Sequence, residues 1–158
     1  MNASSVSLPV LGWREWVALP ELNIHRIKAK IDTGARTSAL HAFFIDPYLK
    51  GSQSWIMFGI HPDQHNLDIA VECHAKVKDR RMVSDSGGHK NRRYVIETQM
   101  IMGQCIITAE MTLTNRDSMK FRMLLGRTAM QNHFLVNPQA SYLQGKPDKA
   151  LYENLLKE

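Results

Sequence analysis

Asp32, Thr33 and Gly34 follow one another at the end of a short alternating segment, and those three residue types in that order can do chemistry. Gly34 admits backbone conformations closed to other residues, so the chain can turn sharply just after a carboxylate. The Thr33 hydroxyl can cross-link two such loops. Two carboxylates brought together on loops of this kind share a proton: one acts as base toward a water while the other, protonated, polarises a scissile carbonyl. The tetrad Asp32-Thr33-Gly34-Ala35 occurs once, so one chain supplies half of the pair and a second copy must bring the other half.

The remaining residues that could do chemistry are fewer. A zinc hydrolase needs a His-Glu-x-x-His helix or a tight His/Cys/carboxylate cluster, and the sequence has no such helix motif. Its nearest substitute is His61-Pro62-Asp63-Gln64-His65 with Cys73-His74; Pro62 and its neighbours favour a loop, and His74 points away from Cys73 on an extended segment. The expectation is exposed loop histidines and no metal. There is no Gly-x-x-x-x-Gly-Lys-Ser/Thr phosphate loop either, and no cofactor is expected. Cys73 and Cys105 each fall on the apolar register of an alternating segment and read as small core residues rather than a disulfide.

Strands must position Asp32. Ile27, Ala29 and Ile31 lie on one face of the segment before it, with Arg26, Lys28 and Lys30 on the other. In the second half, 121–125 form an apolar strand ending in Gly126 and Arg127, followed by the helix-compatible 128–132. Residues 104–114 alternate, with Cys105, Ile107, Ala109, Met111 and Leu113 inward, Gln104, Thr108, Glu110, Thr112 and Thr114 outward, and Ile106 out of pattern. Residues 71–77 alternate in the same way, 55–60 are a continuous apolar run, and 92–101 give another strand. Residues 86–91 are a turn-rich tip suited to a mobile hairpin or an ordinary turn, and 147–156 could form an amphipathic terminal helix. The predicted layout is a frayed, flexible N-terminus over 1–10, one domain over 11–145 and a helical C-terminal extension over 146–158.

Four segments carry a family resemblance: 11–20, the run from Lys28 through Asp32-Thr33-Gly34 to Ala42, Ser84 to His89 with 92–96, and Asn115-Arg116 through Met123-Leu124-Leu125-Gly126-Arg127. Together they span most of residues 11 to 136, and the second is the specific one. The order resembles the retropepsin-like fold, and more closely its RimB-type branch, also labelled ATP-dependent zinc proteases. The resemblance implies a mainly β, closed-barrel domain with a short helix after the apolar-apolar-Gly strand. It also implies a small peptidase associated with RimK-type ligases, which add glutamates to a protein C-terminus. Asp32, with Thr33 and Gly34, takes the catalytic-loop role; "ATP-dependent" then describes a neighbouring ligase.

Charge bears on the substrate. Twenty Lys and Arg against fifteen Asp and Glu give +5 and a pI near 9.4, which favours an anionic partner. Nucleic acid is disfavoured, because there is no clean basic helix and Trp13, Trp16, Phe43, Phe44 and Trp55 lie where strand cores need them. The run 76–81 reads as a solvated face. Ala35 and Arg36 follow one predicted loop of the active centre and Arg127 the other, placing a guanidinium pair to grip glutamate carboxylates. Arg92, Arg93 and Arg116 are candidates for a surrounding tier, or else pair with Asp85, Glu97 or Asp117. No apolar stretch approaches the roughly 20 residues of a membrane span, and residues 1–7 lack a secretory pattern, so a cytoplasmic, disulfide-free setting is expected. The combined expectation is a homodimeric aspartic endopeptidase that hydrolyses glutamate-rich tails, on an acidic peptide or a polyglutamate-tailed protein such as a ribosomal protein. The alternatives are a non-catalytic dimeric module that binds such tails, and a zinc-dependent hydrolase.

Overall fold

A computed structural model describes residues 7–84, 87–116 and 120–157. Along the chain its strands are β1 (Val10–Leu11), β2 (Arg14–Leu19), β3 (Ile24–Ile31), β4 (Ser38–Ala42), β5 (Phe44–Lys50), β6 (Gln53–Ile60), β7 (Val71–Lys76), β8 (Asp79–Ser84), β9 (Lys90–Met102), β10 (Cys105–Asn115), β11 (Met123–Leu125) and β12 (Leu135–Val136). Helix α1 (Arg127–Met130) follows β11, and α2 (Lys149–Leu156) ends the chain, its first turn capped by the Asp148 carboxylate on the Leu151 N–H. The mainly β class is borne out.

The principal sheet runs β10-β4-β11-β3-β2-β9-β8, and a further pairing of β10 with β9 joins strands five places apart in that order. Strand β11 enters between β3, to which it is parallel, and β4, to which it is antiparallel. β4 in turn lies parallel to β10, with Ser38 beside Met111 and Ala42 beside Asn115. A separate antiparallel sheet, β5-β6-β7, branches off between β4 and β8, and the short β1 pairs in parallel with β12. The core is aliphatic and methionine-rich: Ile27, Ala29, Leu40, Ile96, Met100, Met111, Met123 and Leu125 are all buried. A smaller cluster of Ala18, Ile101 and Tyr152 seats α2. Among the described residues no helix is long and apolar enough to cross a membrane.

Several expectations need amendment. Thr112 and Thr114 are buried rather than outward, because β10 lies against β4 and their hydroxyls reach the Ser38 and Leu40 carbonyls. Trp13, Trp16, Phe43, Phe44 and Trp55 are half-buried and none belongs to the core. Trp13 and Trp16 carry cations instead, Arg14 over the first and Arg26 and Lys28 over the second. Strand β5 had no counterpart in the sequence pattern, and Pro47 sits within it, which an edge strand tolerates. Cys105 is half-buried while Cys73 is buried, and both thiols are free. The expected hairpin is formed by β8 and β9; Asp85 and Ser86 of its tip, and residues 1–6 of the expected N-terminal segment, lie outside the described residues.

The run 76–81 is largely exposed, and its charges are knitted together. Lys78 bridges Glu97 and Glu110, and Arg81 binds Asp79 and both oxygens of Glu110. The Arg81 fork and the Lys78 ammonium hold the Glu110 carboxyl down at about 2.

Candidate active site

Strand β3 buries Ile27, Ala29 and Ile31 and ends at Asp32, where the chain turns. The turn is fixed by the carboxylate itself: Asp32 Oδ1 accepts the Gly34 N–H at 2.9 Å and the Ala35 N–H at 3.2 Å. Asp32 is half-buried, Thr33 and Gly34 are exposed, and the loop faces outward. One carboxylate oxygen is therefore tied into the loop. The other retains its lone pairs for a proton or a water.

A crossing segment holds the loop from behind. The Asp32 N–H donates to Leu125 O at 2.9 Å, Arg127 N to Ala35 O at 2.7 Å and Thr128 N to Arg36 O at 3.0 Å. The Thr128 hydroxyl adds a second bond to Arg36 O, and Arg127 Nη1 reaches Thr33 O at 3.0 Å. Gly126 is required at the crossing because a β-carbon there would lie 2.6 Å from the Thr37 carbonyl carbon. Its N–H donates to the buried Ser38 Oγ at 3.0 Å. Ser38 and Thr128 thus serve the loop although the sequence reading did not single them out. Short hydroxyl side chains reveal such a role only once their distant partner is known.

The arginines divide into two groups. Arg36 and Arg127 are exposed, and their backbones meet where the Gly126–Thr128 segment crosses the Asp32 loop. Arg36 makes no ion pair with a described residue, whereas Arg127 commits one of its five N–H donors to Thr33 O. Arg92, Arg93 and Arg116 do not join them: they line a separate cleft with Tyr94, Thr114 and Ile45, at the Ala42 end of β4. That end lies roughly 13 Å along the strand from Ser38 and the Asp32 loop. Their cleft borders the buried His41, which is paired with Thr114 Oγ1. Burial, and then the charges of Arg93, Arg116 and Arg122, push His41 down to about 4, so its ring is neutral near pH 7. Of the acids expected to pair with these arginines, Glu97 is taken by Lys78, and Asp85 and Asp117 lie outside the described residues.

The histidines of the 61–74 region go separate ways. His61 stacks on Phe43, His65 contacts Gln64, and His74 lies between Tyr48 and Glu72. Cys73 turns to the opposite side of its strand, donating to Leu22 O, with burial pushing its thiol up to about 12. No three His, Cys, Asp or Glu side chains converge among the described residues.

Comparison with known proteins places these features in context. Over 146 residues, 92% of this chain, the sequence is 43% identical to a probable alpha-L-glutamate ligase of Shewanella pealeana, covering 32% of that protein. A protein of the same description from Parasynechococcus marenigrum is 42% identical over 86% of this chain and 29% of its own length. The chain thus spans about a third of the length of the curated relatives it matches. A crystal structure of a Legionella pneumophila protein of unknown function superposes with a TM-score of 0.73 at 24% identity, covering 87% of this chain and 99% of that one, which shows a shared fold. Residues 10–147, a span that runs from β1 past the Asp32 loop and the Gly126 crossing, match the model of the RimB-like family, the retropepsin-like aspartic endopeptidase RimB. The chain belongs to that family.

Proposed function

We propose that this chain is an aspartic endopeptidase that works as a homodimer and hydrolyses peptide bonds in glutamate-rich tails. The observation that carries the proposal is the Asp32 loop, with its carboxylate tied by Oδ1 to two backbone N–H groups and its backbone braced by the Gly126–Thr128 crossing. A single loop of this kind provides one carboxylate, so the reactive pair is Asp32 of one protomer and Asp32 of the other. The ionised member takes a proton from a water, whose oxygen adds to the scissile carbonyl carbon while the protonated member hydrogen-bonds the carbonyl oxygen. The tetrahedral intermediate collapses with cleavage of the C–N bond, and the amine leaves with the proton the first carboxyl had taken. Thr33 and Gly34 shape the loop. Ala35, Arg36 and Arg127 border the bound peptide, and the two guanidinium groups take its side-chain carboxylates.

The linked pairings of β10 with β9 and β4 fit the closed barrel of a retropepsin-like domain, and the β8–β9 hairpin takes the part of its flap. The substrate assignment draws on the positive net charge and on the relatives named as probable alpha-L-glutamate ligases. A ligase that extends glutamate tails calls for a hydrolase of the same bond, and a domain of this family within longer ligase-named chains suits that coupling. Mass spectrometry of oligoglutamate incubated with wild type and with Asp32→Asn tests the reading. Shortened products from wild type, and a loss of orders of magnitude in Asp32→Asn with an unchanged thermal transition, are expected. Equal turnover by Asp32→Asn would overturn it.

A further inference from the structure

The outer face of the β2–β3 hairpin carries a row of cations that the catalytic loop does not account for. Arg26, Lys28 and Lys30 alternate along β3 away from the core, and the row ends two residues before Asp32. None of the three makes an ion pair with a described residue. Across the ladder Arg14 lies beside Lys30 and Trp16 beside Lys28. Arg26 and Lys28 sit 4.9 and 5.2 Å from the Trp16 ring centre, and Arg14 lies 4.6 Å from Trp13 and 4.9 Å from Tyr142. Aromatic rings thus hold these long side chains in place along the strand, which lowers the entropy lost when a ligand engages them. Where the row begins, the loop around His65 closes over it to form a cavity of about 510 Å³ lined by His25, Arg26, Lys28 and Arg122, with Asp63 the one acid in its wall.

The geometry points to an acid-binding track on this face, which takes an extended, carboxylate-rich stretch of peptide and leads it along β3 toward Asp32. This inference rests on the peptidase reading above and extends it to the part of the tail remote from the cleaved bond. Alternate residues of an extended strand lie about 6.7 Å apart. A glutamate-rich chain laid along β3 therefore presents every second side chain at the repeat of Arg26, Lys28 and Lys30. A single-stranded nucleic acid would also meet the charges, but its affinity depends on bases stacking on open rings. Trp16 already carries Tyr142 stacked at 5.3 Å besides its two cations, so a base would have to displace one of them. Carboxylates need no ring.

The test measures binding of fluorescently labelled oligoglutamate in the Asp32→Asn background, where the peptide persists, alongside oligoglutamine and single-stranded oligouridylate. Replacing Arg26 and Lys28 together by Gln should weaken oligoglutamate binding roughly tenfold at low ionic strength and flatten its salt dependence. Lys28→Arg should retain binding. In the protein with Asp32 intact, the same double substitution should raise KM for oligoglutamate by a similar factor. Circular dichroism confirms that the variants fold, and Arg26→Glu alone, at an exposed position, should weaken binding further still. Unchanged oligoglutamate affinity in the double variant, or oligouridylate bound more tightly than oligoglutamate, would overturn the track. Binding that depends on Arg26 and Lys28 without any turnover would remove the peptidase reading and leave the track standing; turnover with a KM indifferent to both residues would do the reverse.

Discussion

Gly126→Ala is the most discriminating substitution for the architecture of the Asp32 loop. The backbone there has φ −94° and ψ 174°, which alanine adopts without strain, so the effect is purely one of space. The added β-carbon would meet the Thr37 carbonyl carbon at 2.6 Å, its oxygen at 2.8 Å and the Ser38 nitrogen at 2.9 Å, all of them backbone atoms with no flexible side chain to yield. The two segments must separate, stretching the bonds from Gly126 N to Ser38 Oγ and from Arg127 N to Ala35 O. Overpacking of this kind costs about 1–3 kcal/mol and a weakened buried hydrogen bond about 1 more, which for a domain of this size lowers Tm by roughly 5–15 °C. On the proposed peptidase function, a shift of about 1 Å in the Asp32 loop should reduce oligoglutamate turnover on the order of 100-fold. Gly51→Ala is the control: its φ of +64° makes alanine strained by about 1 kcal/mol, yet nothing lies within 4 Å and it sits in the β5–β6 turn. It should lower Tm slightly and leave turnover alone. Scanning calorimetry and product analysis on the two variants settle the matter, and a Gly126→Ala protein that behaves like Gly51→Ala would refute the reasoning.

Three other perturbations probe separate parts of the molecule. Glu15 is fully buried and its carboxylate accepts the N–H groups of Gly12, Leu143 and Gln144, so Glu15→Ala, which orphans all three, should cost about 3 kcal/mol or more in urea unfolding and expose the 140–148 segment to protease. His41, held near 4 against an ordinary 6.5, binds its proton more readily in the unfolded chain; stability is therefore full above pH 6.5 and falls as pH drops toward 4, by about 2 kcal/mol at pH 5. Urea midpoints at pH 7 and 5 should show that loss in wild type and lack it in His41→Gln. Arg127→Gln should lower kcat by releasing the Thr33 carbonyl and raise KM by removing donors for the substrate, about tenfold to a hundredfold in kcat/KM, and steady-state kinetics on oligoglutamate separates the two contributions.

What the sequence made legible was whatever depends on local pattern. The alternation of Ile27, Ala29 and Ile31 against Arg26, Lys28 and Lys30 placed Asp32 at a strand end, and the apolar run closing at Gly126 marked the segment that crosses behind it. Features set by a distant partner were not legible. Thr112 and Thr114 alternate as outward residues, and only the parallel arrival of β4, which supplies carbonyls for their hydroxyls, accounts for their burial. The tryptophans fall at positions where strand cores need aromatic residues, but Trp16 belongs to a face where Arg26 and Lys28 lie over its ring. Arg92, Arg93 and Arg116 are basic residues suited to a tier around the loop, but the register of β4 against β10 puts them at the other end of the strand. The cationic face of β3 was visible in the alternation, but its relation to a cavity required the fold of the 61–71 loop.

The threading of β11 between β3 and β4 has a consequence for how the protein comes into being. The bonds that brace the Asp32 loop connect residues 88 to 94 positions apart, so little of the bracing can exist until the segment through Thr128 is present. Contacts of such long range form late and slowly, since the closure entropy of the intervening chain is lost before any of them is gained. During synthesis, the turn bearing Asp32 would emerge early and remain slack until the segment around Gly126 had left the ribosome. A nascent chain of that length would therefore lack the braced Asp32 loop. The same dependence makes the crossing a natural seam for dividing the protein: a fragment ending before Met123 and a peptide supplying 120–136 should each be inert and should recover structure at the loop only on association.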